Sequence, residues 1–389
     1  MFKSITLIIF IILISLPCLA IPQYSMLTGN KCINCHINPH GSGSRNDLGW
    51  YARNDVGLLN PDDIGLLNFY EALASTNQFF KKTFILGFDF RYQTAMVGPP
   101  DNPERTFFGM QASPYIAIAP FDWLTLGGSY NFFYNKNKSY PGQKAWTGYL
   151  IIQPDITLPS FKAGFFSPPI GMRYDDHTVL VSKISGGGQT QLIPPDYAEY
   201  GAEINYEGLK WLSLSAGIYD ASSMAENTYR NASGNPIPLV DKNKLSASLS
   251  ASLWQRFFEN KLNLNLGTSY FVNNDFNITA LYFNAGLTDK LSFLSEILWT
   301  DKKDIRKSRN FLVGVTYQIL DALLVEVRLE KALTDDIINK EPWNTNQYLI
   351  GLHIFPLPFI ELRPEYRIFD REWADGYQAQ YAVQLHIFY

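Results

Sequence analysis

From Lys81 to Tyr389 the chain repeats segments of about ten residues in which apolar and polar side chains alternate, the period of strands with two unlike faces. Leu245, Ala247, Leu249, Ala251 and Leu253 alternate with Ser246, Ser248, Ser250 and Ser252. Ile360, Leu362, Tyr366 and Ile368 alternate with Glu361, Arg363, Glu365 and Arg367. A β-sandwich, with one face buried and one wet, has the same local pattern, so the connections must separate the two folds. Strands are expected to start near residues 83, 105, 121, 145, 158, 197, 209, 243, 260, 276, 290, 309, 322, 346, 357 and 377. After even-numbered strands the connections are short, as at Phe121-Asp122, Glu207-Gly208, Glu259-Asn260, Thr288-Asp289, Asp321 and Pro356-Leu357-Pro358. After most odd-numbered ones they are longer, as at 97–104, 135–144, 170–196, 220–242, 301–308 and 334–345. Tight turns at one end and long loops at the other are the asymmetry of barrels that span a membrane. The expected fold is therefore all-β, a transmembrane antiparallel barrel of about 16 strands over residues 81–389.

Lipid then dictates which face is which. Charges on every second position are costly against hydrocarbon, so Asp89, Arg91, Glu326, Arg328, Glu361 and Arg363 should line a polar lumen. In the last strand Tyr377, Ala379, Tyr381, Val383, Leu385, Ile387 and Tyr389 should share one face. Aromatic residues make up 15% of the chain and charged residues only 17%, which suits a barrel girdled by aromatic side chains. A net charge of −4 argues against nucleic acid as a partner.

Residues 1–20 read as a secretory signal: Lys3, an apolar run from Ile5 to Leu16, and small residues at Cys18 and Ala20 before the cut. That run is shorter than the roughly 20 residues a spanning helix needs, and nothing after it comes closer. Any membrane span must be built from strands.

Of three cysteines, Cys18 leaves with the signal, and the remaining pair offers no disulfide framework. Instead Cys32-Ile33-Asn34-Cys35-His36 is the C-x-x-C-H attachment sequence of a c-type haem. Two thiols at this spacing reach two vinyl groups on one porphyrin edge, and the adjacent histidine becomes the proximal iron ligand. A redox dithiol has no need of His36, and a zinc site lacks a second cysteine pair. In the following loop Arg45 is placed to pair with a haem propionate, while Gly41 and Gly43 let the backbone approach the ring. One helix is expected from Pro61 to Ser75, with Asp62 or Asp63 near its start. Residues 21–80, about 60 in all, are too few to enclose a haem unaided. The wide lumen of a 16-stranded barrel can supply the missing cover.

In the loop 170–196, Asp175, Asp176 and His177 form a His-plus-carboxylate set that Fe(II) accepts. The competing reading is a loop folded into the pore and tied to the wall by Arg173. The sixth haem ligand is not readable. His40 lies too close to His36 in sequence, Met110 is expected to face lipid with Phe108 and Ile116, His353 and His386 point to the lumen by strand parity, and His177 is free to fold into it. Met26 stays open as a ligand.

The order of signal, Thr28-Gly29-Asn30-Lys31-Cys32-Ile33-Asn34-Cys35-His36, short linker and barrel resembles the fused monohaem cytochrome–porins of the outer membrane, best known as iron oxidases. The resemblance implies a Gram-negative outer-membrane protein with one covalent haem c, on the periplasmic side or in the lumen. It implies electron transfer between an extracellular donor, Fe(II) above all, and a periplasmic cytochrome or other carrier, hence an Fe(II):cytochrome c oxidoreductase. A diffusion porin for small solutes with an accessory haem segment is the alternative expectation.

Overall fold

The computed structural model describes residues 22–389 apart from 42, 53–54, 98–103, 137–139, 175, 177, 185–189, 231–234, 338–340 and 373–375. The expected signal lies outside the described residues. Sixteen strands form a closed antiparallel barrel: β1 Phe84–Val97, β2 Glu104–Phe121, β3 Leu124–Tyr130, β4 Trp146–Ile152, β5 Ser160–Phe166, β6 Glu199–Tyr206, β7 Leu212–Tyr219 and β8 Ser246–Phe257. The second half is β9 Leu262–Asn273, β10 Phe276–Leu287, β11 Leu291–Lys302, β12 Arg306–Leu320, β13 Leu323–Asp336, β14 Glu341–Leu357, β15 Ile360–Arg371 and β16 Tyr377–Phe388. Each strand pairs with the next, and β1 closes on β16 from Asp89 opposite Phe388 to Met96 opposite Tyr381.

The faces divide as lipid requires. Leu249, Leu253, Leu266, Tyr270, Val313, Val327, Leu329 and Ile350 are exposed on the outside, while Ser248, Ser252, Asn265, Asn310, Gln347, Glu326, Arg328, Glu361 and Arg363 are buried in the lumen. An apolar exterior over a polar interior is the inverse of a water-soluble core, and only a bilayer makes it stable.

Four local expectations need correction. The connection 301–308 is a tight turn, because β11 and β12 run on to Lys302 and Arg306, whose charges are neutralised by Asp275 and Asp336 and so do not end the strands. Met110 does not simply face lipid: it is the extra residue of a bulge, with Arg91 opposite Gln111 and Tyr92 opposite Gly109, and its sulfur accepts from the lumenal Gln384 at 3.0 Å. A bulge shifts the parity of everything before it. Tyr389 leaves the outer face of β16 and packs on Trp50, with ring centroids 4.4 Å apart. The helix expected over 61–75 is a 3-10 turn, Pro61–Ile64, capped by Asn60 and ended at Gly65 (φ 72°), then a separate helix Leu67–Leu73. Two further short helices, Pro22–Thr28 and Asp47–Tyr51, flank the C-x-x-C-H motif.

Helix Pro22–Thr28, the C-x-x-C-H motif and Trp50 lie inside the barrel at its short-turn end, whereas Leu58, Leu59, Ile64, Leu67 and Phe69 are exposed. Helix Pro22–Thr28 packs on β9, β10 and β11, and Asn263 Nδ2 donates to Met26 O at 2.9 Å. Lys31 Nζ donates to Glu207 and to the carbonyls of Leu209 and Leu212, all in or beside the β6–β7 turn. Leu58 N and Leu59 N bond to Phe355 O and Pro356 O. Trp50 is 1% exposed, stacked on Phe359 at 5.2 Å. From the other end the loop 167–198 folds inward, burying Val179, Val181 and Leu192 against Phe271, Ile278, Leu298 and Leu312. Each such aliphatic side chain contributes about 1.5–3 kcal/mol to holding the loop in place.

Candidate functional site

Cys32–Asn34 form one 3-10 turn, and both Cys35 N and His36 N bond back to Cys32 O, at 3.1 and 2.9 Å. That turn brings His36 beneath Cys32. A bridge between His36 and Arg45, with Ile37 N bonded to Ser44 O, closes the following loop into a hairpin. Asn46 secures both arms: its amide donates to Ile33 O and Asn34 O, and its carbonyl oxygen accepts from Gly49 N, starting the helix Asp47–Tyr51. A Cβ on Gly49 would lie 2.1 Å from Cys35 O, so only glycine lets this helix lie against the motif.

Cys32, His36, Gly41, Gly43 and Arg45 border one cavity enclosed between this segment, the wall and the loop 167–198. Its volume is about 320 Å³, and it opens in part to solvent. Cys35 is buried away from it beside Ala52. Arg45 also lies over the Phe388 ring, 4.8 Å from its centroid. Burial first, then the charge of Glu207, pushes the Cys32 thiol up to about 11. Crowding by surrounding atoms produces this shift although the side chain borders open space. A thiol so disfavoured as thiolate is a poor disulfide-exchange group, which weighs against a redox dithiol.

The wall beside the cavity carries a run of alternating carboxylates and imidazoles. His353 contacts Glu326 at 3.2 Å through Nε2 and Glu361 at 2.6 Å through Nδ1, and His386 contacts Glu361 at 2.7 Å and Asp89 at 2.8 Å. Both histidines expected to face the lumen do so. His40 reaches Glu203 on β6 at 2.8 Å through Nε2.

In the loop 167–198, Asp176 is clamped to the wall by Arg328 and Arg367. Burial alone would raise its pKa, but Arg367, Arg328 and Arg363 together hold the carboxyl well below the usual carboxylate range. The loop is thus folded into the pore and tied down through Asp176, not through Arg173, which is exposed at the cavity edge. Asp175 and His177 lie outside the described residues. Among the described residues no group of three or more His, Cys, Asp or Glu is arranged to hold a metal ion.

Fold and lumen together define a porin-like transmembrane barrel of the outer-membrane type. Among solved structures it is similar to the outer membrane channel DcaP of Acinetobacter baumannii (12% identity over 79% of this chain and 97% of that one, TM-score 0.53). It is likewise similar to OprB of Pseudomonas putida (10% identity, 79% and 95% covered, TM-score 0.56) and to an anion-selective porin from Comamonas acidovorans (9% identity, 79% and 99% covered, TM-score 0.52). At these identities the likeness concerns the fold. No family model and no curated protein matches the chain.

Proposed function

We propose that this barrel is an electron conduit: a single haem c, attached through Cys32 and Cys35 and ligated by His36, passes electrons between an extracellular one-electron donor and a periplasmic cytochrome or similar carrier. The observation that carries the reading is that Cys32, His36 and Arg45 border one lumenal cavity in the half of the pore that this segment itself fills. When bound, the haem supplies the one-electron chemistry; the chain holds it and keeps bulk water from it. Arg45 is placed to meet a propionate. Cys35 is disulfide-bonded in this structure, so attachment at both thiols requires that bond to be reduced and the side chain to turn from Ala52 toward the cavity.

Fe(II) is the donor we favour, which makes the activity that of an Fe(II):cytochrome c oxidoreductase. A role for Asp175, Asp176 and His177 in receiving the ion requires Asp176 to be released from Arg328 and Arg367.

A diffusion porin for small solutes, with an accessory haem segment, is the second reading. The likeness to outer-membrane channels favours it. Haem staining after denaturing electrophoresis, followed by planar-bilayer conductance, decides between them. Stained protein with little current fits the conduit; porin-like conductance fits the channel.

A further inference from the structure

Between the lumenal segment and β1, residues 58–69 carry six large apolar side chains that the fold leaves exposed: Leu58, Leu59, Ile64, Leu66, Leu67 and Phe69. The side of this stretch that the barrel covers is already in use. Tyr70 is buried, and Leu73 and Ala74 pack with it on the cluster of Trp50, Phe359 and Phe388. So dense a run of exposed apolar side chains marks a surface made to be covered.

The stretch is fastened to the barrel rim at both ends. At its start Leu58 N and Leu59 N bond to Phe355 O and Pro356 O near the tip of β14, and a Cβ on Gly57 would lie 3.1 Å from Leu357 Cα. At its end Leu86 N of β1 donates to Asn77 O at 3.0 Å, and Gln78 and Phe79 pair antiparallel with Ile85 and Phe84. Between them Tyr389 OH, at the end of β16, donates to Leu73 O and Thr76 O. Since β14, β15, β16 and β1 are successive neighbours in the closed barrel, residues 58–79 follow the circumference of the short-turn rim.

The same stretch joins the lipid-facing surface without a break. Phe84 lies an odd number of residues before the lumenal Asp89 and so points outward from β1, where it is exposed. Phe79, directly opposite Phe84, shares its face. The Phe80 ring meets the Phe84 ring edge-on, with centroids 5.7 Å apart, and exposed Lys81 follows at once. Aromatic and then basic side chains in this order suit the boundary between hydrocarbon and headgroups.

We propose that residues 58–80 form a collar that dips into the periplasmic leaflet of the outer membrane. Leu59, Ile64 and Phe69 enter the acyl chains just inside the headgroups, and Asp62 stays in water. Phospholipid is the occupant because collar and barrel belt are one continuous apolar surface, and the short turns of such barrels are periplasmic. Segments that lie in the interface sink about 5–10 Å. The collar is independent of what the lumen holds, haem or solute.

The test uses the full-length protein with nitroxide labels on Leu59→Cys, Ile64→Cys, Phe69→Cys, Phe80→Cys and Asp62→Cys, each in phospholipid nanodiscs holding one barrel. Heat-modifiable migration verifies the barrel in every variant, and label taken up by the unsubstituted protein is subtracted. Oxygen concentrates among acyl chains and a neutral nickel chelate stays in water, so the ratio of their relaxation effects reads depth. Phe80 sets the lipid value and Asp62 the water value. Labels at Leu59, Ile64 and Phe69 should give ratios several-fold above that at Asp62 and close to that at Phe80. Ratios at the Asp62 level for these three overturn the collar and hand the face to a periplasmic protein or a second copy of the chain. A water-like ratio at Phe80 also overturns it, because the lipid belt then ends before the segment begins.

Discussion

His353 Nδ1 and Glu361 Oε1 lie 2.6 Å apart on the adjacent strands β14 and β15, and Glu361 uses its other oxygen for His386. One carboxylate thereby joins two imidazoles across three strands of the lumen wall. Replacing His353 by Leu takes one buried partner from each of Glu361 and Glu326, which keep His386 and the arginines Arg328 and Arg363 respectively, whereas replacing Glu361 by Gln retains hydrogen bonding to both rings. Removing one partner of a buried pair costs about 3–5 kcal/mol. His353→Leu should therefore lower the urea midpoint for unfolding in detergent or vesicles by much more than Glu361→Gln, and equal midpoints would mean that the wall network is energetically idle.

Trp50 joins the N-terminal segment to the barrel end through Phe359 and Tyr389. Tyr389 OH in turn donates to Leu73 O and Thr76 O, at 3.3 Å each. Trp50→Ala removes a buried ring at a cost of about 3–5 kcal/mol. The lipid-facing strands are untouched by it. The expected outcome is a barrel that still shows heat-modifiable migration but whose first 60 or so residues become open to added protease; continued protection would place the anchorage elsewhere.

The barrel was legible because its two solvents, lipid and lumen, impose opposite chemistry on alternate residues. The largest displacement of a strand start is 346 expected against Glu341 found, because Glu341-Pro342-Trp343 does not continue the alternation of apolar and polar residues. Faces such as Leu249 against Ser248 follow from parity alone. Parity fails at Met110, since a bulge leaves no mark on the sequence. It is equally silent on Asp176, whose partners Arg328 and Arg367 are more than 150 residues away along the chain. Cys32, Cys35 and His36 were readable as a motif, and their cavity was inferable only as a need for cover.

Cys35→Ala should abolish covalent haem staining and leave insertion intact. Strand pairing closes the barrel without help from the motif, and the Cys35 side chain packs beside Ala52. A variant that stains normally would remove haem from Cys35; one that fails to migrate as a folded barrel would make attachment a step in assembly.

The clamp on Asp176 has a defined pH dependence. Its folded-state pKa is lowered by Arg367, Arg328 and Arg363 despite burial, so its contribution is fully present above the ordinary aspartate value of about 3.9 and is lost as pH falls through the lower folded-state value. At neutral pH the loop should be closed and the single-channel current small. Acidification well below the ordinary aspartate value of about 3.9, through the lowered folded-state pKa, should neutralise the carboxyl, release Arg328 and Arg367 and raise the current. Asp176→Asn keeps the shape and a hydrogen bond but removes the charge, leaving two buried arginines short of a partner. That variant should conduct at neutral pH and gain little further on acidification. If Asp176→Asn gives the same small current as wild type at neutral pH, the apolar packing of Val179, Val181 and Leu192 holds the loop by itself, and the ionic clamp does not gate the pore.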